Sequence, residues 1–221
     1  MTETDFTKLP IFKGMTDSDI NAAMACVGAF QKDYSKEEFV ILAEDTVRCV
    51  GVILEGRVDM VREDFWGNRT VLVSIGKTEL FGESFACGSN LVASVSFVAR
   101  EATRVLFLPF DRVMHTCPHA CAHHHSLVTN MVSLIAEKNA AFISKIDIMS
   151  KKTLREKIMS YLSAQADCND SAYFTVPFGR VRLAEYLNAD RSALTRELNN
   201  LREEGIIDFD KNTFRIIKNL D

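Results

Sequence analysis

The sequence predicts an α+β fold: an N-terminal β-sheet domain, one long helix, and a small C-terminal domain of helices and a hairpin. Three patterns predict it. Residues 39–108 form short apolar runs broken by Gly, Asp and Asn, residues 118–148 repeat apolar side chains every three or four positions, and residues 181–217 contain two short amphipathic segments followed by two apolar runs.

Length and charge set the outer limits on function. A chain of 221 residues can form one large or two modest domains. With 26 Lys and Arg against 30 Asp and Glu it is mildly acidic, which argues against a protein that coats nucleic acid without specificity. Residues 151–221 nevertheless carry 12 basic against 11 acidic residues, whereas residues 1–150 carry 14 against 19. A regulator that reads one site needs only a local basic patch.

No stretch resembles a signal peptide or a membrane span, so the sequence predicts a cytoplasmic protein without a membrane partner. In that compartment the six Cys are expected to be thiols or metal ligands rather than disulfides.

The first half of the chain reads as a short helical opening followed by strands. Residues 1–35 predict a helix pair, the second from Thr16 to about Phe30. The short apolar runs that follow, from Phe39 to Leu108, have the spacing of a barrel or sandwich.

The long apolar repeat predicts a helix from about Pro118 to Ile148. Its apolar positions lie close to a heptad seam that includes one polar residue: Val128, Met131, Ile135, Asn139, Phe142 and Ile146. Such a helix has more apolar surface than one small barrel can cover, so we expect it to pair with a second copy. The alternative is a single helix lying across its own domain. Asn139 would either fix the register of a parallel pair or be peripheral.

The segment Val181–Gly205 reads as two helices joined by a tight corner, after an earlier helix at Thr153–Ala166. Asp190 is placed to cap the second helix, and Leu194, Leu198 and Leu201 form one inward stripe. The outward face then carries the candidate DNA contacts Arg191, Ser192, Thr195, Arg196 and Asn199. The alternative is an ordinary amphipathic hairpin with a solvated polar face. The two apolar runs around Asp210–Asn212 predict a β-hairpin, and a helix-turn-helix followed by a hairpin is a winged helix.

The order of these features resembles the CRP/FNR superfamily of bacterial transcription regulators. The resemblance rests on Glu55-Gly56, Phe81-Gly82-Glu83, the long helix and the stretch Asp190–Arg196, and it covers the chain from Leu9 to about Ile217. It implies an effector-sensing, cyclic-nucleotide-binding-like β-roll of jelly-roll type at 1–117, a dimerisation helix at 118–148 and a winged helix DNA-binding domain at 149–221.

The function implied by the resemblance is that of a regulator rather than an enzyme. A homodimer would bind a palindromic operator on double-stranded DNA, with recognition helices about 34 Å apart. RNA polymerase would be a further partner of an activator, and no surface for it is identified in the sequence. A ligand-binding module without a DNA role remains the alternative.

Residue by residue, the resemblance places Arg191, Ser192 and Arg196 where the family reads bases and phosphates. Many members carry Glu where this chain has Ser192, so their operator sequence does not transfer. Members that bind cyclic nucleotides pair Gly-Glu with Arg-Ser or Arg-Thr. Here Gly82, Glu83 and Ser94 match, but the phosphate-binding Arg is Ala93. Without that cation cyclic AMP is not the expected effector. Two further family positions, turn glycines in most members, are Glu44 and Thr78.

One window concentrates metal-ligating residue types. All five His lie between residues 115 and 125, together with Cys117 and Cys121. On a helix Cys121 would share a face with His124 or His125, and Cys117 could close over its start, a set that suits zinc or iron. The alternatives are a metal-free helix start with reactive thiols, a redox or nitrosative switch, and a haem-based gas sensor whose axial ligand no pattern selects. An enzyme site is not expected, because the window contains no acidic partner.

Overall fold

The computed structural model describes residues 5–114 and 122–218, and the chain divides into two compact units, Met1–Glu137 and Lys138–Asp221. The N-terminal unit is mostly β-sheet and the C-terminal unit mostly helical, so the predicted α+β class is confirmed. Among the residues described, no helix is both long enough and apolar enough to span a bilayer.

The chain begins with two 3₁₀ turns, Phe6–Lys8 and Pro10–Phe12, and helix α1 (Asp17–Val27). A reciprocal capping box between Thr16 and Asp19 starts α1. The helix ends at Gly28, whose φ of +64° is left-handed. The predicted helix to Phe30 is therefore too long, because Phe30 is already the first residue of a strand.

Eight strands form the β-roll, and its jelly-roll architecture confirms the fold that the resemblance implied. They make two four-stranded antiparallel sheets, in the orders β1-β8-β3-β6 and β2-β7-β4-β5. The strands are β1 (Phe30–Tyr34), β2 (Phe39–Ile41), β3 (Cys49–Glu55), β4 (Val58–Glu63), β5 (Arg69–Ile75), β6 (Leu80–Phe81), β7 (Ser96–Ala99) and β8 (Thr103–Pro109).

Aromatic rings fill the interior between the two sheets. The ring of Phe81 lies 5.4 Å from that of Phe97 and 6.3 Å from that of Phe107, and Phe85 packs on Phe97 at 6.4 Å. Gly51 makes room for this packing, since a Cβ there would lie 2.4 Å from the Phe81 ring. Phe81 is fully buried as a result.

In the described residues, α2 (Glu83–Ala86) follows β6, α3 (Phe110–Met114) follows β8, and the next helix along the chain is α4 (Ala122–Ser150). The first half of α4 packs on the core of its own roll, where Leu127 and Met131 are buried. The second half exposes large apolar side chains, among them Ile143 and Ile146. The predicted seam is thus divided: Val128, Met131 and Ile135 are used within the N-terminal unit, whereas Asn139, Phe142 and Ile146 are exposed.

Along the chain, the boundary between the two compact units falls within α4, between Glu137 and Lys138. The sequence placed its boundaries at 117/118 and 148/149. The first of these falls in residues 115–121, which lie outside the described part of the chain. The second differs because Ile148, near the end of α4, is buried in the core of the C-terminal unit.

In the described residues, the C-terminal unit contains the second half of α4, three further helices and a three-stranded antiparallel sheet in the order β10-β11-β9. The predicted helix-turn-helix and hairpin are confirmed, and β9 adds a third strand. The elements are α5 (Leu154–Asn169), β9 (Tyr173–Thr175), α6 (Arg180–Tyr186), α7 (Arg191–Glu203), β10 (Ile207–Asp210) and β11 (Thr213–Ile216). The hairpin of β10 and β11, with its turn at Lys211–Asn212, is called the wing below.

Candidate nucleic-acid interface and effector site

Helix α7 is started by the cap that the sequence predicted. The Asp190 carboxylate accepts hydrogen bonds from the backbone N–H groups of Ser192 at 2.8 Å and Ala193 at 3.0 Å. These bonds and one from the Ser192 hydroxyl hold the pKa of Asp190 below its ordinary value. On the inward side Leu194, Leu198 and Leu201 are fully buried, so the orientation of α7 about its own axis is fixed by its core.

That orientation leaves the five predicted DNA contacts on one surface. Together with Asp190, Asn200 and Glu203, these contacts line a shallow, open concavity. The five contacts are Arg191, Ser192, Thr195, Arg196 and Asn199. The first four are exposed and Asn199 is half-buried. We call these five residues the reading surface.

The polar groups of the reading surface differ in what they can offer a ligand. The Thr195 hydroxyl donates to the Arg191 carbonyl at 2.9 Å, and the Ser192 hydroxyl donates to Asp190. Both hydroxyls therefore keep acceptor lone pairs for an incoming donor such as a base amino group. The donors are the exposed guanidinium groups of Arg191 and Arg196, which can grip a guanine edge or a phosphate, and the side-chain amide nitrogen of the half-buried Asn199.

Two carboxylates at α7, those of Glu197 and of the C-cap residue Glu204, are paired with Arg155. Glu197 accepts a hydrogen bond from Arg155 of α5 at 3.3 Å, and Arg155 also pairs with Glu204 at 2.8 Å. This pairing raises the pKa of Arg155 and lowers that of Glu204. The pairing removes two carboxylates from competition with a phosphate for the guanidinium groups of the reading surface.

The four predicted effector residues lie in two segments of the roll. Gly82 caps α2 with a φ of +78°, and Glu83 next to it is a buried carboxylate. Ala93 is only 1% exposed, its N–H donates to the Asp45 carbonyl at 2.9 Å and its carbonyl accepts from the Glu44 N–H at 2.8 Å. Ser94 is exposed. The residue that stands where the family has Arg is therefore a buried, backbone-paired alanine without a charge.

The predicted Cys/His window is only partly described. Cys117 and Cys121 lie outside the described residues. His125 is exposed, whereas His124 is buried, with Nε2 donating to the Val113 carbonyl at 2.5 Å. Nδ1 of His124 faces Cys26 Sγ at 3.8 Å. Within the residues described, no three His, Cys, Asp or Glu side chains are grouped so as to hold a metal ion.

Sequence reasoning missed both neighbours of this window that α1 supplies. Cys26 faces His124, and Asp19 lies 2.9 Å from Nδ1 of His123, so an acidic partner is present after all. The separations are 98 and 104 residues. No local pattern reports a contact over such distances, because it depends on how α1 packs beside the start of α4.

Comparisons with known proteins agree with the order of these parts. The family model described as cyclic nucleotide-binding domain matches residues 31–118, and that described as Crp-like helix-turn-helix domain matches residues 156–221. The cyclic AMP receptor protein of Thermus thermophilus is 24% identical over 200 residues, which are 90% of this chain and 88% of that protein.

Solved structures share the fold at lower identity. The catabolite activator protein of Thermus thermophilus superposes with a TM-score of 0.52 at 21% identity, covering 94% of this chain and 93% of that one. A mutant of CooA from Carboxydothermus hydrogenoformans gives 0.59 at 15% identity, covering 99% and 94%. The two matched domains and their order along the chain identify it as a member of the CRP/FNR family of transcription regulators.

Proposed function

We propose that this chain acts as a homodimer that reads a palindromic operator with the reading surface of α7. The observation that carries the proposal is a helix whose buried leucines fix its orientation and whose opposite side presents Arg191 and Arg196 to solvent. Guanidinium groups at the start of such a helix suit the edges of bases in the major groove and the flanking phosphates.

Exposed apolar residues of α4 support pairing with a second copy. Their exposed fractions are 56% for Val132, 38% for Phe142, 60% for Ile143 and 68% for Ile146. An apolar stripe of this length on one helix is costly in water and is typical of a helix that packs against a partner. Two copies joined along α4 would supply the two recognition helices that a palindrome requires.

The regulating effector is proposed to be a molecule other than cyclic AMP. Ala93 supplies no charge for a phosphate, and its backbone is already paired with Asp45 and Glu44. A ligand with a Kd of about 10 µM, present at about 1 mM, would stabilise the protein by about 2.7 kcal/mol. We expect cyclic AMP at that concentration to leave the melting temperature unchanged. A clear rise would show that another group replaces the missing arginine.

The absorption spectrum of protein purified without oxygen separates the remaining sensor classes. A Soret band would identify haem, and bound zinc or iron by elemental analysis would identify a metal-dependent sensor. A protein with neither would be controlled by a small organic ligand or by thiol oxidation.

The operator proposal is tested by selection and substitution. Duplexes recovered from a randomised library with the wild-type chain should be palindromic. Arg196→Ala should weaken binding to the selected duplex about 5- to 150-fold, which corresponds to about 1–3 kcal/mol. Lys152→Ala removes the same charge from an exposed position before α5 and serves as the control, with a change of less than about twofold. Failure of the wild-type chain to select any duplex would favour a ligand-binding module without a DNA role, and unchanged binding by Arg196→Ala would contradict reading through α7.

A further inference from the structure

The wing is held by arginines from both helices of the helix-turn-helix. The Phe209 side chain on β10 has the Arg180 Cζ 4.8 Å from its ring centroid and the Arg202 Cζ 4.8 Å from it. Arg180 is the first residue of α6, and Arg202 lies in the last turn of α7. A planar guanidinium on an aromatic ring is a favourable contact whose geometry is more specific than simple apolar packing.

Arg180 contacts both strands of the wing at once. Its Cζ lies 5.0 Å from the centroid of Phe214 on β11, and Phe209 and Phe214 are paired across the hairpin with ring centroids 5.7 Å apart. Phe214 stacks in turn on Phe174 of β9 at 6.4 Å. The Arg180 guanidinium, at the start of α6, therefore packs on Phe209 and Phe214, and Phe214 continues the ring contacts to the third strand of the sheet.

The surroundings of Arg180 separate its role from that of Arg191 and Arg196. Its Nη1 atom is buried and has no hydrogen-bond partner among the described residues. Burial also lowers the pKa of Arg180. By contrast, Arg191 and Arg196 are exposed on the reading surface. The contacts that the structure shows for the Arg180 guanidinium are those with the rings of Phe209 and Phe214.

The position of the wing matters because of the charges near its tip. Lys211 occupies the turn with a φ of +50° and is exposed, and Asp208 and Asp210 are exposed on the neighbouring strand. A lysine attracts a phosphate and a carboxylate repels it, so the placement of the wing would decide which of these charges a DNA backbone meets.

We propose that Arg180 is a positioning residue which, by stacking on Phe209 and Phe214, places Lys211 against the DNA backbone beside the reading surface. The proposal rests on the DNA-binding function proposed above. It assigns Arg180 no contact with DNA.

The test is a double-mutant cycle in the full chain, with the duplex selected by the wild type. Lys211→Ala alone should weaken binding about three- to tenfold and reduce the salt slope by about 1, because one phosphate contact is lost. In an Arg180→Met background the same Lys211→Ala change should have less than about a twofold effect. Arg182→Met is the matched control, since Arg182 lies on the same helix at 5.8 Å from the ring of Phe178 and should leave the Lys211→Ala effect intact.

Arg180→Lys distinguishes stacking from charge. If Arg180 itself met a phosphate, the lysine variant would keep the salt slope and most of the affinity. If the planar stack positions the wing, the lysine variant should resemble Arg180→Met. Additive effects of the Arg180 and Lys211 changes, or full rescue by lysine, would overturn the proposal.

Hydrogen exchange separates wing placement from loss of fold. Backbone amides of β10 and β11 should exchange faster in Arg180→Met while those of α7 are unchanged. Faster exchange throughout the C-terminal unit would make Arg180 a general stabilising residue and overturn the proposal. If the wild-type chain selects no duplex, the DNA-binding function itself fails. If the wild type binds and the cycle is additive, only the role of Arg180 fails.

Discussion

The β-roll and the C-terminal unit use their polar residues in opposite ways. In the roll, Ala93 and the Glu83 carboxylate are buried at the predicted effector site, and the interior is filled by phenylalanines. In the C-terminal unit the predicted contacts of α7 are open and share one concave surface. A large partner such as duplex DNA suits a preformed open surface, whereas a small effector bound at Ala93 and Glu83 would have to reach buried residues.

Charged side chains also differ between the β-roll and the C-terminal unit. In the roll the buried Asp59 carboxylate is bonded to Arg100 at 2.7 Å and to the Ser74 hydroxyl at 2.5 Å, so it is already satisfied. At α7 the carboxylates of Glu197 and Glu204 are paired with Arg155. In the roll, the buried carboxylate is thus satisfied by its own neighbours, whereas on the reading surface the guanidinium groups of Arg191 and Arg196 remain exposed to a partner.

The largest expected effect tests the buried side of α7. Leu198→Ala should destabilise the C-terminal unit by about 2–5 kcal/mol, because it leaves a cavity at a fully buried position. Calorimetry would measure the change, with the roll expected to unfold as before. Val181→Ala, at a position 48% exposed on α6, is the control and should change the stability by less than about 0.5 kcal/mol. Equal effects would mean that α7 is not held by its leucines.

A second substitution tests how tightly the interior of the roll is packed. Gly51→Ala would place a Cβ 2.4 Å from the buried Phe81 ring and should destabilise the roll by about 1–3 kcal/mol. Gly76→Ala, whose nearest atom would be the Glu79 carboxylate at 3.6 Å, is the matched control for chemical denaturation. Tolerance of Gly51→Ala would show that the interior can yield, and the contrast between the two units would then disappear.

Relief of backbone strain in a turn of the roll should increase the stability of the roll, by less than the two substitutions above decrease stability. Thr78 and Glu44, which stand where the family has turn glycines, both adopt left-handed backbones, with φ of +71° and +75°. Thr78→Gly should therefore stabilise the roll by about 0.5–1 kcal/mol, because a β-branched residue is strained there. Lys77→Gly at the neighbouring position, which is not left-handed, should destabilise it. Destabilisation by both changes would argue against strain at Thr78.

The smallest effect concerns pH and the cap of α7. The pKa of Asp190 is lower in the folded chain than in the unfolded chain, where it is near 3.9. The stabilisation of α7 by the ionised cap is therefore complete above about pH 5, and it is lost as the pH falls through the folded pKa. Asp190→Asn keeps a good cap without the charge. The difference in urea midpoint between wild type and variant should shrink between about pH 5 and pH 3. A constant difference would show that the carboxylate contributes no pH dependence.

Local chemistry accounts for most of what could be predicted. The cap at Asp190, the leucine stripe and the wing depend on residues a few positions apart, and each was correct. The end of α1 was misplaced by the same kind of reasoning, since Gly28 was not read as its stop. The identities of Glu44 and Thr78 marked two turns, but their left-handed backbones became visible only in the fold.

Contacts between distant segments were beyond the sequence. Apolar spacing along α4 was correct, yet it did not reveal that Met131 faces the roll while Ile146 is exposed. Similarly, the basic residues of the C-terminal unit look alike in the sequence. Only the fold separates Arg180 and Arg202, stacked on Phe209, from Arg191 and Arg196 on the reading surface.

The amino-acid sequence by itself determined which elements form and which side of α7 faces outward, because hydrophobic periodicity and end caps act within a few residues. The tertiary structure alone decided which arginines remain available, how the roll interior is filled and which residues of α1 approach His123 and His124. The physical reason is that packing brings together side chains more than a hundred positions apart, and no local pattern encodes that choice.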